Sequence, residues 1–143
     1  MIDNRIKEVK KVYEDLIQLK SFMEEKNNDI KLEINEPIFI KNIVEWQHRE
    51  GFDLPYDYML LLLFLDGFKS DFFNMYSLNN VTRHDSFANV CVIGEYLDDG
   101  SFLFITRDGK LYENDQENGI NEINLCEYIQ TYCIEPIYDY LNE

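Results

Sequence analysis

Along the first part of the chain, apolar residues recur at helical spacing. Ile2, Ile6, Val9, Val12, Tyr13, Leu16, Leu19, Phe22 and Met23 fall at three- and four-residue steps, with Lys and Glu between them. That period puts them on one face of an α-helix. Asp3 or Asn4 is placed to be its N-cap, and the pattern ends near Lys26, where Asn27, Asn28 and Asp29 break it. Residues 27–36 read as a loop with a short extended piece, "IKLEI". A second helix is expected from Glu36-Pro37, with proline in the first turn. Its apolar face would hold Ile40, Ile43, Val44 and Gln47, and Gly51 would stop it.

The stretch "DLPYDYMLLLLFLDGF" carries eight consecutive apolar or aromatic residues, Tyr58 to Leu65, between two acidic ones. A membrane span needs about 18 or more. Pro55 suits a first helical turn, Asp57 suits the positive end of the helix dipole, and residues 55–66 contain no β-branched side chain. The expectation is a central, buried third helix ending at Gly67; a buried strand is the alternative.

Beyond Gly67 the period shortens. "DFFNMYSL", "ANVCVIGEYL", "SFLFITR" and "KLYEND" are rich in Val, Ile, Phe and Tyr and read as strands. "DDG" at Asp98–Gly100 and "RDG" at Arg107–Gly109 supply hairpin turns, so the strands form an antiparallel meander. Residues 116–122, "QENGINE", read as a polar loop. Asn124 then caps a last helix through Leu125, Tyr128, Ile129, Tyr132 and Cys133, which ends before or kinks at Glu135-Pro136, with "IYDYL" as a closing turn. Helices, an antiparallel sheet of about four or more strands and a C-terminal helix make an α+β domain spanning 1–143.

Charge sharpens this picture. The net charge is −15, from 13 basic and 28 acidic residues. Residues 1–51 hold 9 basic and 11 acidic side chains, net −2; residues 52–143 hold the other 4 and 17, net −13. Nucleic acid and anionic membranes are therefore not expected as partners; the charge serves either solubility alone or a basic protein partner. The N-terminal residues contain no apolar stretch of the signal-peptide kind, and the three cysteines form no CxxC, so a cytoplasmic protein with reduced thiols is expected.

Candidate chemistry is sparse. Asp98 and Asp99 are explained by their turn. "DQENGINE" has its glycine one place too early for a calcium loop. Cys126 and Cys133, seven apart, would share a helix face as buried thiols. His84, in a polar loop, reads as solvated, and no nucleotide-binding or catalytic motif is present. The expectation is a non-enzymatic protein with no metal or cofactor. Ten Tyr and ten Phe are more than the core calls for, and Tyr96, Tyr112, Tyr138 and Tyr140 lie in the acidic half. Either their rings pack and only the hydroxyls reach water, or exposed Tyr beside acids makes a recognition surface.

The stretch "WQHREGFDLPYDYMLLLLFLDGF" resembles the signature of the Smi/Knr-type domain (SUKH superfamily). Gly51, Leu54, Pro55, Tyr58 and Gly67 match it, and look structural: a helix start, an anchor tyrosine and helix stops. "GSFLFITRDGKLYEND", with Gly109, Leu111 and Tyr112, and "NLCEYIQTYC" are similar to the paired strands and closing helix of that family. The chain departs from the pattern at Gln47, Glu50 and Asp66, where the family has Glu, Leu and Asn. The resemblance implies function by binding. Bacterial members are mostly immunity proteins that neutralise the toxin domain of a polymorphic or contact-dependent toxin; others are intracellular regulators or scaffolds. A cognate toxin domain is the expected partner, a basic nuclease being the kind that the charge fits. Charge asymmetry and expected exposure select Tyr96, Asp98, Asp99, Tyr112, Glu113, Asp115 and Glu117 as contact residues.

Overall fold

A computed structural model describes residues 2–26, 29–84 and 89–142. The elements follow in the order α1 (Ile2–Lys26), β1 (Leu32–Ile34), α2 (Ile40–Glu50), α3 (Tyr56–Leu62), β2 (Phe68–Ser70), β3 (Phe73–Met75), β4 (Thr82–Arg83), β5 (Val90–Tyr96), β6 (Phe102–Thr106), β7 (Leu111–Asp115), β8 (Gly119–Glu122), α4 (Leu125–Ile129) and α5 (Glu135–Leu141). The architecture is α+β: an N-terminal helix, an antiparallel sheet of eight strands and C-terminal helices. The strand order is β1-β2-β3-β5-β6-β7-β8, with β4 pairing the start of β5.

Val9, Val12, Leu16, Leu19 and Met23 of α1 are buried, as their period predicts. Asp3 and Asn4 lie inside α1 rather than at its cap. Asn27 and Asn28, part of the expected break, lie outside the described residues, as does Ala88 at the start of an expected strand.

The second helix starts later than the proline signal suggests. Residues 35–38 stay extended because they bond across to the end of α3. The Ile38 N–H donates to Leu62 O (3.1 Å), the Asp66 N–H to Glu36 O (3.0 Å) and the Asn35 N–H to Gly67 O (3.1 Å). Helix α2 therefore begins at Ile40 and turns Ile43 and Trp46 inward, leaving Ile40 and Val44 exposed. Gly51 stops it at φ +72°, as expected. Arg83 and Arg107 donate to the carbonyls of Glu50 and Gly51, and each guanidinium lies 4.8 Å from the Phe52 ring centroid. Two cations at the negative end of α2 thus clamp a buried aromatic residue.

Pro55 caps α3, and Leu54 donates its N–H to Gln47 Oε1 (2.8 Å). The helix packs against α1 and α4. It stops at Leu62, short of the expected Gly67, because residues 63–67 turn to meet the extended 35–38 segment. Leu63 is consequently exposed while Leu65 is fully buried. Gly67 sits at φ +89°, and a Cβ there would lie 2.5 Å from Met75 O. Only glycine permits that approach.

Both Asp-Gly hairpins form, with Gly100 at φ +77° and Gly109 at φ +83°. Three strands escape the hydrophobic pattern: β2, β4 and β8. Residues 119–122 pair with β7 through the backbone, and all four are exposed, so this edge strand carries no apolar alternation to read. Asn124 caps α4 as expected, its Oδ1 accepting the Glu127 N–H (3.0 Å). The closing helix does not end before Pro136. A π segment, Gln130–Ile134, leads directly into α5. The wider turn makes room for a proline ring that would otherwise meet a carbonyl four residues back. Of the two thiols expected to be buried on one helix face, Cys133 is buried and Cys126 only half-buried.

Two outcomes test this frame. Gly67→Ala is expected to destabilise the protein by about 3 kcal/mol or more in urea unfolding, since alanine is strained at positive φ and its methyl collides with backbone. The Tyr58 ring is fully buried and its hydroxyl has no hydrogen-bond partner among the described residues. Tyr58→Phe is therefore expected to raise stability by about 1 kcal/mol in the same measurement.

Candidate protein-binding surface

Adjacent residues of a strand point to opposite faces, and this divides the expected contact residues. Glu113 lies opposite Leu103, whose side chain is fully buried in the core. Tyr112 lies opposite Phe104 and stacks on it, ring centroids 5.4 Å apart, on the other face of the sheet. There His84 also packs its ring on Phe102 at 5.1 Å, so it is not simply solvated.

On the helix side, the end of the sheet nearest α4 gathers the rest. Tyr96 ends β5; Asp98 and Asp99 occupy the exposed turn after it; Glu113 and Asp115 come from β7. Asp98 and Asp99 lie close enough to Tyr96 to add to the effect of its burial in raising its phenol pKa. Asp115 and Asp99 act in the same way on Glu113. Part of the cluster is committed locally. Asp99 Oδ1 accepts the Ser101 N–H (2.9 Å), which holds its carboxyl below the usual range. Asp115 Oδ1 accepts the N–H groups of Glu117 (2.8 Å) and Asn118 (3.0 Å), shaping the β7–β8 turn on which exposed Glu117 stands.

Helix α4 supplies what the sequence reading did not select. An open cleft of about 310 Å³ is lined by Glu113, Glu122, Glu127, Tyr128 and Tyr132, with Ile123, Asn124 and Thr131. The Tyr128 hydroxyl hydrogen-bonds the Glu113 carboxylate. The rings of Tyr128 and Tyr132 lie 4.7 Å apart, and Tyr128 meets Phe73 edge-on at 5.7 Å, which fixes the inner wall. The one available signal was the helical spacing of Tyr128 and Tyr132, which reads equally well as core packing. A larger groove of about 470 Å³ runs between α1 and α4 past Cys126. Its charge is mixed: Lys11 at its edge is paired with Asp15 at 2.8 Å. Burial, with Asp57, Glu8 and Glu127 nearby, pushes the Cys126 thiol up to about 12, which makes it a poor nucleophile.

Glu113 is the unusual member. It is 9 % exposed, and burial, against the Tyr128 hydrogen bond, raises its carboxyl pKa above the usual value. Among the described residues no group of three or more His, Cys, Asp or Glu is arranged to hold a metal ion, and no described helix is long and apolar enough to cross a membrane. The arrangement is suited to holding a positively charged side chain between carboxylates and tyrosine rings. Compared with family models, curated proteins and solved structures, the chain matches none.

A carboxyl whose folded pKa is raised binds its proton more tightly in the folded state. Its contribution makes the fold less stable as pH rises from the ordinary glutamate value, about 4.5, through the raised one. Glu113→Gln is therefore expected to raise Tm at pH 7, with the gain vanishing near pH 4, in parallel thermal melts of both proteins.

Proposed function

We propose that this chain is a cytoplasmic, non-enzymatic immunity-type protein of the Smi/Knr-type (SUKH) kind. It binds a basic toxin domain in one-to-one stoichiometry and covers its working surface. Glu113 carries this reading. It is a buried carboxylate kept at the bottom of an open cleft, where its charge costs stability and no basic side chain answers it within the cleft. Groups held at the expense of stability are characteristic of functional surfaces. A cation from a partner would meet Glu113, Glu127 and two tyrosine faces at once. Asp98, Asp99 and Glu117, exposed nearby on turns, would steer the approach. The charge distribution agrees, since 13 of the 15 net negative charges fall in residues 52–143, the part of the chain that supplies every residue of this surface.

The direct test expresses, in a susceptible host, a toxin domain encoded beside this gene, with and without the protein. Rescue with a co-purifying complex is the expected result. Toxicity without rescue would instead favour an intracellular regulatory or scaffold role. In the rescued pair, changing Asp98, Asp99 and Asp115 together to Lys is expected to slow association about tenfold or more at low salt, as read by stopped-flow or surface-bound kinetics. An unchanged association rate would remove these residues from the interface.

A further inference from the structure

Helix α2 presents an apolar strip to solvent. Phe39, at its N-cap, is 78 % exposed, Ile40 51 % and Val44 54 %. A single exposed apolar residue means little; three adjoining ones at the start of one helix mark an interaction site. None of them lines the acidic cleft.

The charge around the strip identifies what it can meet. Ile40–Glu50 contains Lys41 and Arg49 against Glu45 and Glu50, so α2 itself carries no net charge in a chain of net charge −15; the nearest acids outside it, Glu36 and Asp66, line the groove on the Phe39 side, away from Val44. A second copy approaching the acidic cleft is repelled; along the Ile40–Val44 strip the flanking charges of α2 balance. The helix is also self-complementary. Val44 is one turn beyond Ile40, and Lys41 and Glu45 are one turn apart on the same flank of that strip. If two such helices lie antiparallel about a two-fold axis near residue 43, Lys41 of each copy falls beside Glu45 of the other. Ile40 and Val44 then line the seam, and Phe39 lies towards the C-terminal turn of the second copy's helix. An isologous contact of this kind closes on itself.

We infer that the exposed apolar strip of α2, Phe39, Ile40 and Val44, is the contact by which two copies of this chain pair as a symmetric dimer. With only three apolar anchors per copy the pairing is weak, with a dissociation constant on the order of 100 μM. It is independent of toxin binding and uses none of the cleft residues.

Sedimentation equilibrium of the full chain, from about 10 μM to about 1 mM, brackets that constant. The mass is expected to climb from monomer towards dimer across the range. Val44→Glu is expected to remain monomeric throughout, while its circular dichroism and melting match the parent, because the position is on the surface. Lys41→Glu alone is expected to weaken pairing by about tenfold, since it faces like charge across the axis, and Lys41→Glu with Glu45→Lys to restore it. A parent protein that stays monomeric at the highest concentration overturns the inference, as does a Val44→Glu variant that dimerises like the parent or a double swap that fails to recover pairing.

Discussion

The close approach of backbone at Gly67 holds the two halves of the fold together. A Cβ at that position would lie within 3 Å of Met75, Tyr76 and Ser77 backbone atoms, so the chain can leave α3 and fold straight back into the β2–β3 hairpin only there. The same turn presents Gly67 O and the Asp66 N–H to residues 35 and 36. Asp66 Oδ1 meanwhile accepts the Leu78 N–H at 2.8 Å, stitching the segment after β3 to the same point. Chain from before α2, after α3 and after β3 thus converges on a few residues. Those bonds decide where α2 begins, where α3 ends and how the first strands align. A backbone group buried there without a partner would cost as much as a lost hydrogen bond, so the three segments are required to meet together.

From that junction the sheet grows as a series of hairpins whose helix-side face is filled by Phe73, Met75, Ile93, Leu103, Ile105 and Leu111. Glu113 continues that row where the core reaches its edge. Its position is a compromise between two demands. Burial penalises its charge, and the Tyr128 hydroxyl offsets only part of the penalty. The nearby acids make the situation worse rather than better, which is unlike an acid placed for structure alone.

The protein keeps its surfaces chemically apart. The acidic cleft and its turns gather carboxylates from β7, β8, α4 and the turn after β5. Helix α2 is neutral overall and apolar along its exposed strip.

Much of this was legible in the residues taken alone. The α+β order, the buried face of α1, the stops and turns at Gly51, Gly100 and Gly109, and the cap at Asn124 all follow from periodicity and from local backbone preferences, which need no distant partner. The acidic character of residues 52–143 is likewise a matter of composition. What lay beyond the sequence depends on contacts between remote segments. Residues 35–38 stay extended because they bond to residues 62–67, and the exposed Gly119–Glu122 is a strand because β7 offers it a free edge. Alternation puts Tyr112 and Glu113 on opposite faces of their strand, but only the docking of α4 decides that Glu113, not Tyr112, joins the acidic cleft and finds Tyr128 there. The local rules act within a few residues, while burial and hydrogen-bond satisfaction are settled by whichever segments the fold brings together.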